Sequence, residues 1–333
     1  MNARGPLLGI ETSCDDTCAA VVTRAGEIRS NVVSSQAEHD LFGGVVPEIA
    51  ARRHLDLMTP VVEAALKQAD VTLDDIGAVA VTAGPGLVGA LLVGVASAKA
   101  IATARGLPLV AVDHLQGHVA ANFAAPAPFE PPFVCLVASG GHTFLARVTG
   151  RSGFDVLGAT LDDAAGEAFD KGARMLGLPV PGGPHLQRAA VGGDPEAFDF
   201  PRAAGVAGLD FSFAGLKTSL LYAVRDMGET EATRRRADLA ASYQEAIVDA
   251  LAQRVRRALE QTGLDRLAVG GGVAANGPLR ERLRGLGAVT HVPAPELCTD
   301  NAAMIALAAL DAEPLAAGDA LALDAFATGE RGL

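Results

Sequence analysis

Two stretches of this chain share one design, and together they limit what the rest can fold into. Leu7-Leu8-Gly9-Ile10-Glu11-Thr12-Ser13 reads as a buried strand running into the turn Cys14-Asp15-Asp16-Thr17, and Ala19-Ala20-Val21-Val22 returns as a second strand. One domain later, Phe133-Val134-Cys135-Leu136-Val137-Ala138-Ser139 enters the turn Gly140-Gly141-His142-Thr143 and returns through Phe144-Leu145-Ala146-Arg147-Val148. Short apolar runs bounded by turn residues are strands. Strand, small-residue turn with Ser or Thr, and strand again, met twice, predicts a duplicated α/β unit. The 333 residues suffice for two domains of ordinary size. Pro126, Pro128, Pro131 and Pro132 punctuate the chain between the copies, so the expected division is 1–125 and 126–333.

The strand Leu109-Val110-Ala111-Val112 leads into Asp113-His114-Leu115-Gln116-Gly117-His118. With a helix starting near His114, the two histidines stand at i and i+4 on one face. Their Cβ atoms are then about 5–6 Å apart, a span that one metal ion bridges. Polar residues capping a helix give the same pattern, and a third ligand separates the two readings. Asp300 is the candidate, in Cys298-Thr299-Asp300-Asn301 at the start of another apolar helix. Two imidazoles and one carboxylate leave coordination positions open for substrate, as catalytic sites do.

Glycines in the second half point to a nucleotide. Gly140 and Gly141 let backbone N–H groups approach a phosphate, with His142 as a turn residue beside them. A helix is expected over Leu161–Lys171 from an Asp cap, and its Asp170, followed by Pro181-Gly182-Gly183-Pro184, suits a ribose. Gly270-Gly271-Gly272-Val273-Ala274-Ala275-Asn276 follows the strand Arg266–Val269 and suits a flat base or ribose lying on the backbone. Ala83-Gly84-Pro85-Gly86, between a strand over Ile76–Thr82 and a helix over Leu87–Ala104, lacks the Lys-Ser/Thr of a P-loop, so its glycines read as packing. A helix is also expected from Glu48 to Ala69, kinked or restarted at Pro60, with His54 at its surface or boundary. The tail from Glu313 onward carries no motif.

A net charge of −12 argues against a chain that wraps nucleic acid unaided. Arginine is nevertheless clustered in the second half, at Arg234-Arg235-Arg236, at Arg254, Arg256 and Arg257, and at Arg280, Arg282 and Arg284. Cys14, Cys18, Cys135 and Cys298 follow no CxxC spacing and read as reduced thiols of a cytosolic protein. Glu11 cuts the first apolar run too short for a signal peptide. Residues 78–98 are uncharged but broken by Gly84-Pro85-Gly86, which favours strand, turn and buried helix over a membrane span.

These motifs, in this order, resemble one family. Gly9 to Thr17, Gly43-Gly44-Val45-Val46-Pro47-Glu48, Ala83 to Gly89, His114 to His118, Ser139 to Thr143, Gly166 to Lys171, Phe211 to Thr218 and Cys298 to Asn301 all look like TsaD. That family is the tRNA N(6)-adenosine threonylcarbamoyltransferases, once labelled sialoglycoprotein endopeptidases. The resemblance runs from about Leu8 to Ala309. It implies an α/β fold of two ribonuclease-H-like units, the actin/Hsp70/hexokinase-like (ASKHA) fold. It also implies transfer of a threonylcarbamoyl group from threonylcarbamoyl-AMP to the exocyclic amine of the adenosine at position 37, in tRNAs reading codons that begin with adenine. On matching positions, His114, His118 and Asp300 would hold one Fe(2+) per subunit, with zinc or another divalent metal as the alternative. Val137, Ala138, Ser139, Gly140, Gly141, Asp170, Gly183 and Asn276 would bind the adenylate. Gln187 stands where some members carry an acidic residue, and Ala stands in Gly272-Val273-Ala274-Ala275-Asn276 where many have Ser. Expected partners are tRNA, a paralogous TsaB-type protein and a small P-loop ATPase of TsaE type, in the cytoplasm and without a membrane.

Acyl transfer to a weakly nucleophilic aromatic amine needs charge stabilisation at the carbonyl and the leaving phosphate. Asp15, in the acidic turn, is the candidate for orienting the amine and taking its proton. Two rival readings remain at this level. A metalloprotease would place a Glu beside its first His, where this chain has Leu115-Gln116-Gly117. An ATP-binding scaffold would need the nucleotide loops but not the open His/His/Asp set.

Overall fold

The computed structural model describes residues 5–36, 38–39, 44–202 and 205–327; Gly43 of the Gly-Gly-Val-Val-Pro-Glu motif lies outside them. Contacts divide the chain into two units. One runs to Pro131 and takes in Gly150–Gly153 and the chain from Thr299; the other is Pro132–Thr149 with Phe154–Cys298.

In the first unit, β1 (Leu7–Glu11), β2 (Asp16–Val22) and β3 (Ile28–Ser35) form an antiparallel meander. Helix α1 (Pro47–Gln68) follows, then β4 (Ala78–Gly84), α2 (Val88–Arg105), β5 (Leu109–Asp113) and α3 (His114–Ala120). Strand β4 pairs parallel with β1 and β5 parallel with β4, giving the order β3-β2-β1-β4-β5. Every residue of β1 and β4 is buried, as expected of continuous apolar strands covered on both faces. The core between sheet and helices is aliphatic, built on residues such as Ile10, Val21, Met58, Val62, Val81 and Val95. Helix α2 is apolar and long enough to cross a membrane, with a mean hydropathy of 1.4. Its Leu91, Val95 and Ala98 are buried.

The second unit repeats the plan. Its elements are β6 (Phe133–Ala138), β7 (Thr143–Gly150), β8 (Gly153–Ala159), α4 (Ala165–Met175), α5 (Gly182–Ala189), α6 (Ala214–Met227), α7 (Glu229–Arg234), α8 (Arg236–Thr262), β9 (Arg266–Gly270), α9 (Gly277–Arg284), β10 (Val289–His291) and α10 (Pro295–Cys298). The sheet order is β10-β9-β6-β7-β8, with β6 antiparallel to β7 and parallel to β9. Read from the β8 edge, this is the order of the first sheet. The duplication expected from the two hairpins is therefore present in the topology.

The chain then returns to the first unit as α11 (Ala302–Ala309) and α12 (Ala317–Ala322). A single cut at 125/126 puts this segment, and Asp300 with it, in the wrong unit. The physical reason is the wholly buried helix α11, whose apolar surface is spent against β1, β2 and α3.

Three local expectations also change. Helix α1 runs unbroken through Pro60. The carbonyl that Pro60 cannot engage belongs to Asp56, and both residues are exposed, so water can satisfy it. Helix α4 begins at Ala165 rather than at Leu161. Asp162 instead accepts from the N–H groups of Phe213 (2.7 Å) and Ala214 (3.2 Å), and Asp163 pairs with Lys171 (2.8 Å) and Lys217 (3.2 Å). His54 is wholly buried, not a boundary residue.

Candidate functional site

Helix α3 starts where β5 leaves the sheet. The Asp113 carboxylate accepts from the N–H groups of Leu115 (2.8 Å) and Gln116 (3.3 Å) and so caps the helix. His114 and His118 lie one turn apart and both are buried, with ring centroids 4.8 Å apart. Asp300 comes from the residue before the Asn301 cap of α11, whose side chain accepts from Met304 N–H at 3.0 Å. Its Oδ1 lies 3.6 Å from His114 Nε2 and 3.4 Å from His118 Nε2. One donor atom from each of the three residues lies within 4.8 Å of the others.

Glycine makes this approach possible at two places. A Cβ on Gly9 would stand 2.3 Å from the Ala302 carbonyl oxygen, and one on Gly117 would stand 2.8 Å from Ile305 Cδ1. Helix α11 thus lies directly on β1 and α3, and its start carries Asp300 to the histidines.

A second carboxylate orients the first imidazole. His114 Nδ1 is 2.9 Å from Glu11 Oε2 and 3.2 Å from Ser13 Oγ. Glu11 is wholly buried and accepts from Thr82 Oγ1 (2.6 Å) and from Ser13 N–H. A carboxylate only accepts, so Nδ1 carries the proton and Nε2 faces Asp300. Burial alone would raise the Glu11 carboxyl, but the charge and hydrogen bond of His114 hold it below the usual range. Burial alone would lower His114, but the Glu11 and Asp300 charges raise it to about 9.

His118 tests whether the cluster suits a metal. It is wholly buried, and neither ring nitrogen has a hydrogen-bond partner among the described residues. Orphaned buried polar atoms are rare and costly, by about 1–3 kcal/mol each. A ring so placed beside a carboxylate and a second, oriented imidazole fits a metal ligand.

Asp15 ends the turn between β1 and β2 and Asp16 opens β2; the same turn carries Ser13, whose hydroxyl meets His114 Nδ1. Burial raises the Asp16 carboxyl to about 6, and burial with the Asp15 charge pushes the Cys14 thiol far up.

In the second unit the expected adenylate residues fall on a linked set of turns and helices. Val137 and Ala138 are wholly buried in β6 and only frame the turn; Gly140 and Gly141 are its exposed part. Among the described residues, no atom beyond the glycine's own chain neighbours lies within 4 Å of a Cβ placed on Gly140, Gly141 or Gly183. Ser139 O accepts from Gly166 N–H (3.0 Å), tying the turn to α4. Asp170 Oδ1 accepts from Gly182 N–H (2.5 Å), tying α4 to α5, and burial raises that carboxyl. Gln187 Oε1 accepts from Gly277 N–H (2.9 Å), tying α5 to α9. Gln187 is therefore a brace between these two helices. Asn276 is committed in the same way: Oδ1 accepts from Leu279 N–H (3.0 Å) and Nδ2 donates to Gln244 Oε1 (2.9 Å).

A profile described as TsaD, tRNA N6-adenosine threonylcarbamoyltransferase, matches residues 27–307. The chain belongs to the TsaD family. Relatives named tRNA N6-adenosine threonylcarbamoyltransferase include one from Symbiobacterium thermophilum, 54% identical over 92% of this chain and 91% of its own length. Another, from Clostridium novyi, is 49% identical over 91% of each. Among solved structures, T. kodakarensis HypF matches with a TM-score of 0.61 at 15% identity, over 92% of this chain and 47% of its own. Component A of the Acidaminococcus fermentans (R)-2-hydroxyglutaryl-CoA dehydratase matches at 0.56 and 17%, over 92% and 97%. The Thermus thermophilus ROK hexokinase matches at 0.50 and 15%, over 92% and 97%. At these identities the likeness is one of fold, the hexokinase-like duplication of ribonuclease-H-like units. This TsaD-family chain is thus a transferase that acts on tRNA.

Sequence reasoning found the three clustered donors but missed what holds them. Glu11 was visible as the one acid in an apolar strand, and a buried acid needs a partner. Thr82, which donates to Glu11, gave no such local signal.

Proposed function

We propose that this chain moves the threonylcarbamoyl group of threonylcarbamoyl-AMP to N6 of adenosine 37, in tRNAs that read codons beginning with adenine. The observation that carries the reading is the His114, His118 and Asp300 donor set, gathered within 4.8 Å around a buried imidazole that nothing else satisfies. These three residues hold one divalent metal, Fe(2+), with zinc or another divalent ion as the alternative. When bound, it supplies Lewis-acid stabilisation of charge at the acyl carbonyl and the leaving phosphate.

The protein residues have separate tasks. Glu11 keeps the proton on His114 Nδ1. The Gly140 and Gly141 backbone, framed by Val137, Ala138 and Ser139, takes the phosphate, and the remaining Asp170 oxygen with the open backbone at Gly183 takes the ribose. Asn276 fixes the loop on which the base rests. In the reaction the N6 lone pair attacks the carbamoyl carbon, the bond from that carbon to the phosphate oxygen breaks, and AMP leaves. Asp15 orients the amine and accepts its proton.

A chain of net charge −12 shares its tRNA surface with partners. We assign these as a TsaB-type paralogue and a TsaE-type P-loop ATPase, in the cytoplasm, with a separate enzyme making the adenylate. The protease reading loses ground because the Gln116 amide, standing near a zincin's Glu position, donates to the Arg151 carbonyl (2.9 Å).

The test is incubation of the purified chain with partners, threonylcarbamoyl-AMP and unmodified tRNA, followed by nucleoside mass spectrometry. The modified nucleoside is expected at adenosine 37 only. Its absence from a complete mixture with intact adenylate overturns the reading.

A further inference from the structure

Helix α1 sends one imidazole into the interior. His54 is wholly buried, with Nδ1 2.8 Å from Thr17 Oγ1 and Nε2 3.0 Å from the Cys14 carbonyl oxygen. A carbonyl can only accept, so Nε2 carries the proton. In the neutral ring Nδ1 is then an acceptor, and the Thr17 hydroxyl donates to it. Burial lowers the His54 pKa, in keeping with that neutral tautomer.

The two bonds fall on either side of the acidic turn. Cys14 precedes Asp15, and Thr17 follows Asp16. On the N-terminal side Ser13 is fixed independently: its N–H donates to Glu11, its hydroxyl meets His114 Nδ1, and its carbonyl accepts from Leu87 N–H at 2.8 Å. On the C-terminal side Asp16 and Thr17 enter the ladder opposite Ser35 and Ser34. The five-residue stretch from Ser13 to Thr17 is therefore held between two histidines. His114 belongs to the donor cluster, while His54 touches neither the cluster nor any group assigned to the adenylate.

We propose that His54 is a positioning residue for the transfer reaction, stapling both ends of the Asp15-Asp16 turn so that its carboxylates keep a fixed place beside the His114/His118/Asp300 cluster. The inference rests on the reading that this turn acts in transfer. A carboxylate that must meet an amine proton tolerates little misplacement, and an error near 1 Å can cost about 100-fold in rate. Phe at position 54 keeps the ring and removes both hydrogen bonds. Gln offers an amide N–H near the place of Nε2 and can restore the bond to Cys14. Thr17→Val removes one bond from the other end.

The experiment measures single-turnover transfer to tRNA, with partners present and ready-made threonylcarbamoyl-AMP at saturation, alongside metal content, adenylate affinity and melting temperature. His54→Phe is expected to slow transfer by about 10- to 100-fold with metal content and adenylate affinity unchanged. His54→Gln should recover part of the rate, and Thr17→Val should fall between. If His54→Phe does not fold, the Gln and Val variants carry the same comparison. Combining His54→Phe with Asp15→Asn should be no slower than Asp15→Asn alone, since both act through one group. Wild-type rates in the folded His54 and Thr17 variants, or a loss of metal and adenylate binding in step with the rate, overturn the inference. A slow His54→Phe beside a wild-type Asp15→Asn leaves the positioning role in place and removes Asp15 as the base.

Discussion

The two units share one strand order and use its first hairpin in opposite ways. In the first unit the β1–β2 turn is lined by side chains: Glu11, Ser13, Asp15 and Asp16, clamped by His114 and His54. In the second, the β6–β7 turn offers backbone at Gly140 and Gly141, with space beside it. Glycine changes its meaning accordingly. Gly9 is buried under α11 and permits close packing, whereas Gly140 and Gly141 face open space. The first copy of the hairpin thus presents oriented carboxylates and imidazoles, and the second copy presents backbone N–H groups.

The sharpest way to break the contrast is at the acidic turn. Asp15→Asn keeps size and much of the hydrogen bonding but removes the base. Single-turnover transfer should fall by about 100-fold, the usual scale for a positioned general base, while adenylate affinity stays. A wild-type rate would leave the first hairpin without a catalytic carboxylate at that position.

The glycines give a matched pair. Gly9→Ala forces a Cβ against the Ala302 carbonyl, and denaturant unfolding should show a loss of about 1–3 kcal/mol, with Asp300 displaced and metal weakened. Gly140→Ala meets no neighbour, so stability should hold within about 0.5 kcal/mol while adenylate affinity drops. Equal stability loss in both variants would erase the distinction between packing and binding glycines.

Asp170 sharpens the second unit. Burial raises its carboxyl, so the stability tied to its protonated form is present at low pH and is lost as pH rises through the folded pKa. Asp170→Asn keeps an acceptor for Gly182 N–H and carries no charge. It should melt above wild type at pH 7, with the gap closing as pH falls through the carboxylate range, and it should bind adenylate several-fold more weakly. Melting curves that stay parallel across pH would contradict the buried-charge account.

The smallest effects are expected on the arginine runs. Arg234 pairs with Glu231, Arg235 with Asp238, and Arg282 with both Glu245 and Asp249, while Arg280 donates to the Ala274 carbonyl. Arg236 and Arg284 make no ion pair among the described residues. Arg236→Glu or Arg284→Glu should weaken tRNA binding by about threefold at low salt and less at high salt, measured with partners present. Changes confined to Arg282, through stability, would return the runs to a structural role.

Local spacing accounts for what could be read in the sequence. The i,i+4 histidines and the paired hairpins are local patterns, and each appears in the structure as expected. The return of Asp300 to the first unit depends on glycines at positions 9 and 117, far from it in the chain. Asp162 and Asp163 look like a helix start but find their partners some fifty residues on, at Phe213 and Lys217. His54 reads as a surface or boundary histidine because its partners, the Cys14 carbonyl and the Thr17 hydroxyl, lie 40 and 37 residues away, beyond any local window. Interactions of high sequence separation are where the pattern gave out.

The central claim, that three residues of the first unit hold the metal that transfer needs, is tested most directly by elemental analysis beside single-turnover rates. Wild type, His118→Ala and Asp300→Ala would be loaded with Fe(2+), desalted and assayed with ready-made adenylate and tRNA. The account predicts about one metal per wild-type subunit and a loss of metal and transfer together in both variants, with melting behaviour still cooperative. Full metal occupancy in both variants, or full transfer from metal-free protein, would contradict it.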